Sequence, residues 1–353
     1  MAVGQGFVVG DLSYLTFGRE TTTATYNTCT AALDFLSSSF RTQKDTKILE
    51  QIETCRTFSK SIGLGKVVGG DVEFYFYPEI TACAWILQNA FGGTVTAATS
   101  TAETTGAGAA SAIDHTFVVG NFDQSFASLC VNTRKGDATN GKIFEYNGVR
   151  VNEMSFVSEL DEPLRCVATM IGFDSTVTTN DVSANVTCTS FVPFVFNEGR
   201  FSVETSFASL QTSSYWHVQS FEFKVMNNLH NGSEARRIGS DILDVLPAGP
   251  QTYELSCNIR FDTTTAFDAM IAQTDLAGQF EFIATETMTG SNLQPALTFN
   301  FQKLRVKDAG DPEIGGPDEV LVSNVVFDVL RDESATGYAV NAVLRNQMSA
   351  IGN

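Results

Sequence analysis

The residues best placed to do chemistry are acids on strand-like segments: Asp71, Glu73, Glu153, Glu222, Glu254 and Glu281. Two carboxylates about 5–9.5 Å apart can hydrolyse a glycosidic bond, one as acid and the other as nucleophile or base. One sequence leaves such a pairing open, although two tryptophans are few for a sugar-binding cleft. A solvated sheet face accounts for polar residues at alternate positions, but it does not require an excess of one sign. Gly63-Leu64-Gly65-Lys66-Val67-Val68-Gly69-Gly70 has the look of a phosphate loop. Such a loop must open a helix, whose free N–H groups meet the anion, and this one runs into a strand. His115, His217 and His230 lack the spacing of a zinc site, and His217 beside Trp216 reads as structural. Asp161-Glu162 and the acidic stretch 308–319 depart from the spacing of a calcium loop. No Gly-x-Ser-x-Gly occurs, and no cysteine has a histidine nearby in sequence. The expectation is a non-enzymatic chain with no catalytic residue, no metal and no cofactor.

The acids have to be positioned by strands, and one strand-plus-helix unit occurs twice. Val72-Glu73-Phe74-Tyr75-Phe76 alternates apolar and polar, and Pro78 then opens a helix expected to stop at Gly92-Gly93. Cys257-Asn258-Ile259-Arg260-Phe261 alternates the same way, and the helix after Asp262 is expected to stop at Gly278. At an ungapped offset of 185 residues, Phe76 falls on Phe261, Ala84 on Ala269, Ile86 on Ile271, Gln88 on Gln273 and Gly93 on Gly278. Ala82, Trp85 and Ile86 answer Phe267, Met270 and Ile271 as the expected buried stripes. A duplicated domain follows, with tandem units over 31–188 and 189–332.

Between these anchors the pattern is mostly short strands. Expected strands cover Thr116–Val119, Phe122–Cys130, Leu164–Ile171, Phe191–Phe196, Trp216–Val225, Gln279–Thr285, Ala296–Val306 and Val320–Leu330. Asn147-Gly148, between Lys142–Tyr146 and Val149–Phe156, is a strong hairpin signal because both central residues tolerate positive φ. Residues 93–112 are a low-complexity loop and 173–188 a linker. Residues 1–30 read as an arm needing partners, and 333–353 as a C-terminal arm or last strand. The fold class is mainly β: two tandem β-sandwich or half-barrel domains, each with one short flanking helix.

Composition limits the partners. The chain has 353 residues, 43% of them hydrophobic, and a net charge of −18 with only 22 Lys plus Arg. Tight phosphate binding needs a basic surface, so stable DNA binding is excluded as an expectation. No apolar run approaches the roughly 18–20 residues that span a bilayer, and the N-terminus lacks the pattern of a signal peptide. Seven cysteines without a Cys-x-x-Cys pair read as buried free thiols of a reducing compartment.

Several segments, in this order, resemble the tail tube proteins of long-tailed, non-contractile bacteriophages over residues 60–332. They are Val68-Gly-Gly-Asp-Val-Glu-Phe74, the helix ending at Gly92-Gly93, Tyr146-Asn-Gly-Val-Arg-Val-Asn152 and Leu164-Arg-Cys-Val-Ala-Thr-Met-Ile-Gly172. In the second half they are Pro193-Phe-Val-Phe196, Val218–Leu229, and Gly290 onward through Pro295–Val306. The resemblance implies inner sheets that join neighbouring copies into rings. Single-domain members form hexamers. A tandem chain would form trimers of pseudo-hexameric symmetry, stacked helically into a hollow tube in the virion tail after assembly in the host cytoplasm. Implied partners are the chain itself, a tape measure protein inside the tube, tail terminator and tail-tip or baseplate proteins, and double-stranded DNA in transit without tight binding. No membrane is implied. Asp71, Glu73, Glu153, Glu222, Glu254 and Glu281 then become candidates for the lumen wall. A neck, terminator or baseplate protein sharing the tube fold is the near alternative. A β-sandwich binding module or adhesin, with exposed aromatics at loop tips, is the alternative of another class.

Overall fold

The computed structural model describes residues 13–349 and 351, apart from 51–56, 59, 101–110, 123–127, 137–140, 187–190, 213–214, 262–263, 311–320 and 334–336. Expectations for residues 1–12, 101–110 and 311–320 therefore lie outside the described residues.

The described residues form eighteen strands and two α-helices. The first half holds β1 (Tyr14–Arg19), β2 (Ala31–Ala32), β3 (Ser37–Ser38), β4 (Arg41–Ile48), β5 (Ser61–Tyr75), α1 (Thr81–Phe91), β6 (Gly92–Thr99), β7 (Ile113–Val119), β8 (Leu129–Lys135), β9 (Lys142–Glu159), β10 (Arg165–Gly172) and β11 (Asp174–Thr178). The second holds β12 (Gly199–Glu204), β13 (Val218–Met226), β14 (Thr252–Arg260), α2 (Thr265–Ala272), β15 (Leu276–Ile283), β16 (Ala296–Ala309), β17 (Val322–Leu330) and β18 (Val340–Asn346). The fold is mainly β, and the pairings between these strands are antiparallel.

One sheet runs β4-β5-β10-β9-β13-β14-β17-β16 and so crosses from one half of the chain to the other. Its residues alternate, as period-2 side chains on a half-buried sheet must. The row Phe74, Cys166, Phe156, Phe223, Leu255 and Phe327, one residue from each successive strand, is buried on the inner face. A second layer packs on that face. It contains β1-β8-β9-β11 on one side and β12-β15-β16-β18-β7-β6 on the other. The long strands β9 and β16 bend and serve both layers. Phenylalanines fill the space between, with Phe223 5.2 Å from Phe299 and 5.1 Å from Phe301, ring centre to ring centre.

The two halves repeat one arrangement. Strand orders β4-β5-β10-β9 and β1-β8-β9-β11 recur as β13-β14-β17-β16 and β12-β15-β16-β18. Irregularities recur with them. β9 carries an extra residue between Val151 and Glu153, where its register on β10 shifts, and β16 carries one between Val306 and Asp308, where its register on β17 shifts. The shift between β8 and β9 at Leu129/Val131 returns between β15 and β16 at Leu276/Gly278. An edge-on pair, Phe40 and Tyr146 at 4.7 Å, has its counterpart in Phe223 and Phe301 at 5.1 Å. Bulges re-aim a strand, so their recurrence at matched positions is what lets both long strands turn from one layer into the other.

Several expectations need correcting. Asn147-Gly148 closes no hairpin; it lies inside the continuous β9, where Gly148 has φ +62° and the strand bends between layers. The stretch Tyr14–Arg19 is no arm, because β1 pairs with β8 and every residue in it is buried. Residues 93–99 of the expected loop belong to β6, paired with β7, and the expected linker contains β11. Phe191–Phe196 forms no strand, only an isolated bridge from Val195 to Pro163 and the start of a 3-10 turn. Helix α1 ends at Gly92 in the left-handed conformation, but α2 ends earlier, at Gln273 with φ 52°. Gly278 is a strand residue whose counterpart by pairing is Val131, because β6 and β7 are inserted after α1. Within the C-terminal stretch, expected as an arm or a last strand, Val340–Asn346 form β18 between β16 and β7.

Candidate functional site

The outer face of the eight-stranded sheet gathers five of the six singled-out acids. Asp71 and Glu73 alternate on β5 with the buried Val72 and Phe74, so both point away from the core. Glu153 on β9, Glu222 on β13 and Glu254 on β14 alternate with buried residues in the same way. Cross-strand pairing sets them in rows. One row reads Asp71, Thr169, Glu153, Met226, Thr252; the next reads Glu73, Val167, Ser155, Lys224, Glu254; a third reads Tyr75, Arg165, Val157, Glu222, Ser256. Glu281 does not join them. It sits on β15 in the other layer, opposite Arg200 and Thr298, and burial raises its pKa against the opposing pull of Arg200 and Arg345.

Two bases outside the singled-out set temper the face. Arg165 Nη1 lies 3.2 Å from Glu73, whose other carboxylate oxygen accepts a hydrogen bond from Ser37 Oγ at 3.0 Å. Lys224 Nζ lies 3.5 Å from both Glu153 and Glu254. Burial works to lower the Lys224 pKa, but Glu153, Glu254 and Glu222 outweigh it and hold the ammonium above its usual range. Asp71 accepts a hydrogen bond from Thr169 Oγ1 at 2.6 Å. Register shows why these bases matter: Lys224 sits between acids of both neighbouring strands and Arg165 beside Glu73 of β5, so opposite charges meet across the sheet. Glu159, exposed on the same face of β9, adds a further acid that was not singled out.

The arrangement is a broad, shallow surface. A cleft of about 230 Å³ lies between Leu36, Glu73, Tyr75, Val157, Glu159 and Arg165. Among the described residues no cluster of three or more His, Cys, Asp or Glu is placed to hold a metal. His115 is buried with Nε2 2.9 Å from the Met348 carbonyl, His217 Nδ1 accepts from Arg260 at 3.0 Å, and His230 lies 3.5 Å from Glu234. Cys29, Cys83, Cys130, Cys166 and Cys257 are buried free thiols. No described helix is long and apolar enough to cross a membrane.

A family model described as phage tail tube protein matches residues 10–329, from just before β1 to the end of β17. No curated protein sequence matches the chain. With the family match spanning nearly all of a fold that is mainly β, the chain belongs to the phage tail tube protein family.

Proposed function

We propose that the chain is a tail tube subunit with two tandem tube domains, corresponding to 31–188 and 189–332, with β1 added to the first and β18 to the second. Three copies form a ring of pseudo-sixfold symmetry, and rings stack into the tube that conducts phage DNA. The observation that carries this reading is the repeated strand order with matched bulges, joined by the β9–β13 pairing. Two similar units related by one step of rotation, linked edge to edge, are what a ring of six units needs from each of three chains. The outer face of the shared sheet lines the lumen in this reading. Its excess of acids repels DNA phosphates, whereas a basic wall would bind the duplex and slow its passage. A tape measure protein fills the lumen during assembly in the host cytoplasm, and terminator and tail-tip proteins close the ends. Glu281 is left out of the lumen set because it lies on the other layer.

Electron microscopy of the purified protein at high concentration tests the architecture. Hollow tubes or threefold rings are expected. Particles that stay monomeric even with tail-tip proteins added would overturn the reading. The lumen assignment has its own test: Glu73→Lys with Glu222→Lys should leave tubes intact and slow DNA ejection, and unchanged ejection would reject those two residues.

A further inference from the structure

The two margins of the eight-stranded sheet are each built like one side of a joint that the chain already makes internally. Inside the chain β13 lies between β14 and β9. The counterpart of β13 is the stretch Ser37–Gln43. Ser37 opposite Glu73 answers Ser220 opposite Asn258, and Thr42 opposite Val68 answers Val225 opposite Tyr253. Phe40 and Phe223, at matched positions, are both fully buried. Yet Ser37–Gln43 is paired with β5 only, and every residue of β4 is exposed.

At the other margin, β16 beyond its bulge is the counterpart of β9 beyond its own. Asp308 opposite Val326 answers Glu153 opposite Thr169, and Ala309 opposite Val325 answers Met154 opposite Ala168. On β9 the free side of this stretch receives β13; on β16, among the described residues, no strand occupies that side. The sheet thus starts with a β13-like strand lacking its β9 and ends with a β9-like strand lacking its β13, where the buried Ala309 donates its N–H to Met270 Sδ of α2 at 3.3 Å and an added strand would take that sulfur's place. Unpaired edges of this kind are open to strand addition by another chain.

The geometry points to a second copy of this chain as the partner, with Arg41–Gln43 of one copy added to Asp308–Gly310 of the next in the register of β13 on β9. Gln43 faces Asp308, Thr42 faces Ala309 and Arg41 faces Gly310, as Met226, Val225 and Lys224 face Glu153, Met154 and Ser155 within the chain. The inference rests on the ring-forming reading above and specifies its joint.

Two independent observations agree with it. The first is charge. Arg41 holds the place of Lys224 and Asp308 that of Glu153, the two residues whose charges meet at 3.5 Å across the internal joint. Both are exposed, and among the described residues neither has an opposite charge within 4.0 Å. The second is the helix beside each joint. α1 packs against β13, and Asn227, just past that strand, donates from Nδ2 to the Ala90 carbonyl at 2.9 Å. Ile86 and Ala82 of α1 are 0% exposed, while their counterparts on α2, Ile271 and Phe267, are 68% and 38% exposed. Phe267 and Ile271 of α2 are thus uncovered at the place where the β13-like strand of the next copy would arrive, whereas Ala266 and Met270 of the same helix pack on the core. A head-to-tail contact of this kind forms a ring when its rotation closes.

The test uses the full chain carrying Gln43→Cys and Asp308→Cys together. Residues directly opposite on antiparallel strands have Cα atoms about 4.5–5.5 Å apart, within the span of a disulfide. Both positions are exposed, so folding is not at stake. Mild oxidation of assembled protein should give covalent dimers and trimers on a non-reducing gel, lost on reduction and absent from either single variant. In parallel, Arg41→Asp alone and Asp308→Arg alone should abolish tubes, and the two together should restore them. Tubes without cross-linking and without charge-swap rescue would overturn this joint while leaving the tube reading intact. Failure of the unaltered protein to form rings or tubes, even with tail-tip proteins, would instead overturn the tube reading itself.

Discussion

Lys224 of β13 stands 3.5 Å from Glu153 of β9, across the seam where the second half of the chain joins the first. The same ammonium is 3.5 Å from Glu254 and lies in the field of Glu222, so one lysine serves three acids. An isolated exposed pair contributes at most about 1 kcal/mol. Here removal of the base also leaves the acids to repel one another. Lys224→Met should lower stability by about 1–2 kcal/mol in urea unfolding at low salt. The deficit should shrink as sodium chloride rises, because the repulsion between exposed carboxylates is screened. A deficit that does not respond to salt would show that the lysine acts through its packed aliphatic stem instead.

Beneath that seam, Phe223 joins the two layers. Its ring lies 6.1 Å from Phe156 within the sheet, and 5.2 and 5.1 Å from Phe299 and Phe301 of the opposite layer. It is fully buried, so truncation opens a cavity that its neighbours, fixed on two bent sheets, can only partly fill. Phe223→Ala should cost about 3–5 kcal/mol. Phe40→Ala, at the matched position in the first half and likewise fully buried, should cost a similar amount. Urea midpoints of the two variants check both the size and the parity.

How much of this was legible in the sequence depended on where each segment finds its partners. β13 and β14 alternate cleanly because one face meets the core and the other meets water, so their outward acids could be read directly. β1 was missed because both of its faces are covered, which removes the alternation, and its partner β8 is more than a hundred residues away. The ungapped match of Gly93 with Gly278 misled for a related reason: the inserted β6 pairs with β7, and β7 with β18, a strand of the other half. Gly93 is still required, since a Cβ there would lie 2.0 Å from the Val118 carbonyl oxygen, but the need is local to the insertion. Arg165 and Lys224 were passed over because the face was read strand by strand. Their role emerges only when register sets each base beside acids of the neighbouring strands.

Asn147-Gly148 shows how one backbone requirement can serve two structures. A tight hairpin and a bend inside a strand both ask for positive φ, and Gly148 has φ +62° within β9. A Cβ on Gly148 would meet Phe173 Cδ2 at 2.3 Å, and Phe173 is itself buried. Gly148→Ala should therefore cost more than the left-handed penalty of about 1–2 kcal/mol by itself. Gly290→Ala is the control: φ is +79°, nothing lies within 4 Å of the added carbon, and only the backbone penalty applies. Equal losses for the two variants would mean that Phe173 moves aside at no cost.

The bend is held from below by a buried carboxylate. Glu20 is 1% exposed; its Oε1 accepts the Gly148 N–H at 2.8 Å, and its Oε2 accepts from Ala24 N at 2.8 Å and Ser128 Oγ at 2.7 Å. Burial nonetheless raises its pKa above the ordinary value of 4.5, outweighing those hydrogen bonds and the nearby Arg150. A carboxyl with a raised pKa holds its proton more tightly folded than unfolded. Its contribution to stability is then fully present below the ordinary value and is lost as pH rises through the folded one. Glu20→Gln keeps an acceptor for Gly148 and cannot titrate. The stability of the unaltered protein relative to that variant should therefore fall as pH is raised from 4.5 toward neutrality. Urea unfolding of both proteins across that range measures the difference directly and cancels the titration of every other group. A difference that instead grows with pH would mean that the three donors stabilise the ionised carboxylate more than burial opposes it.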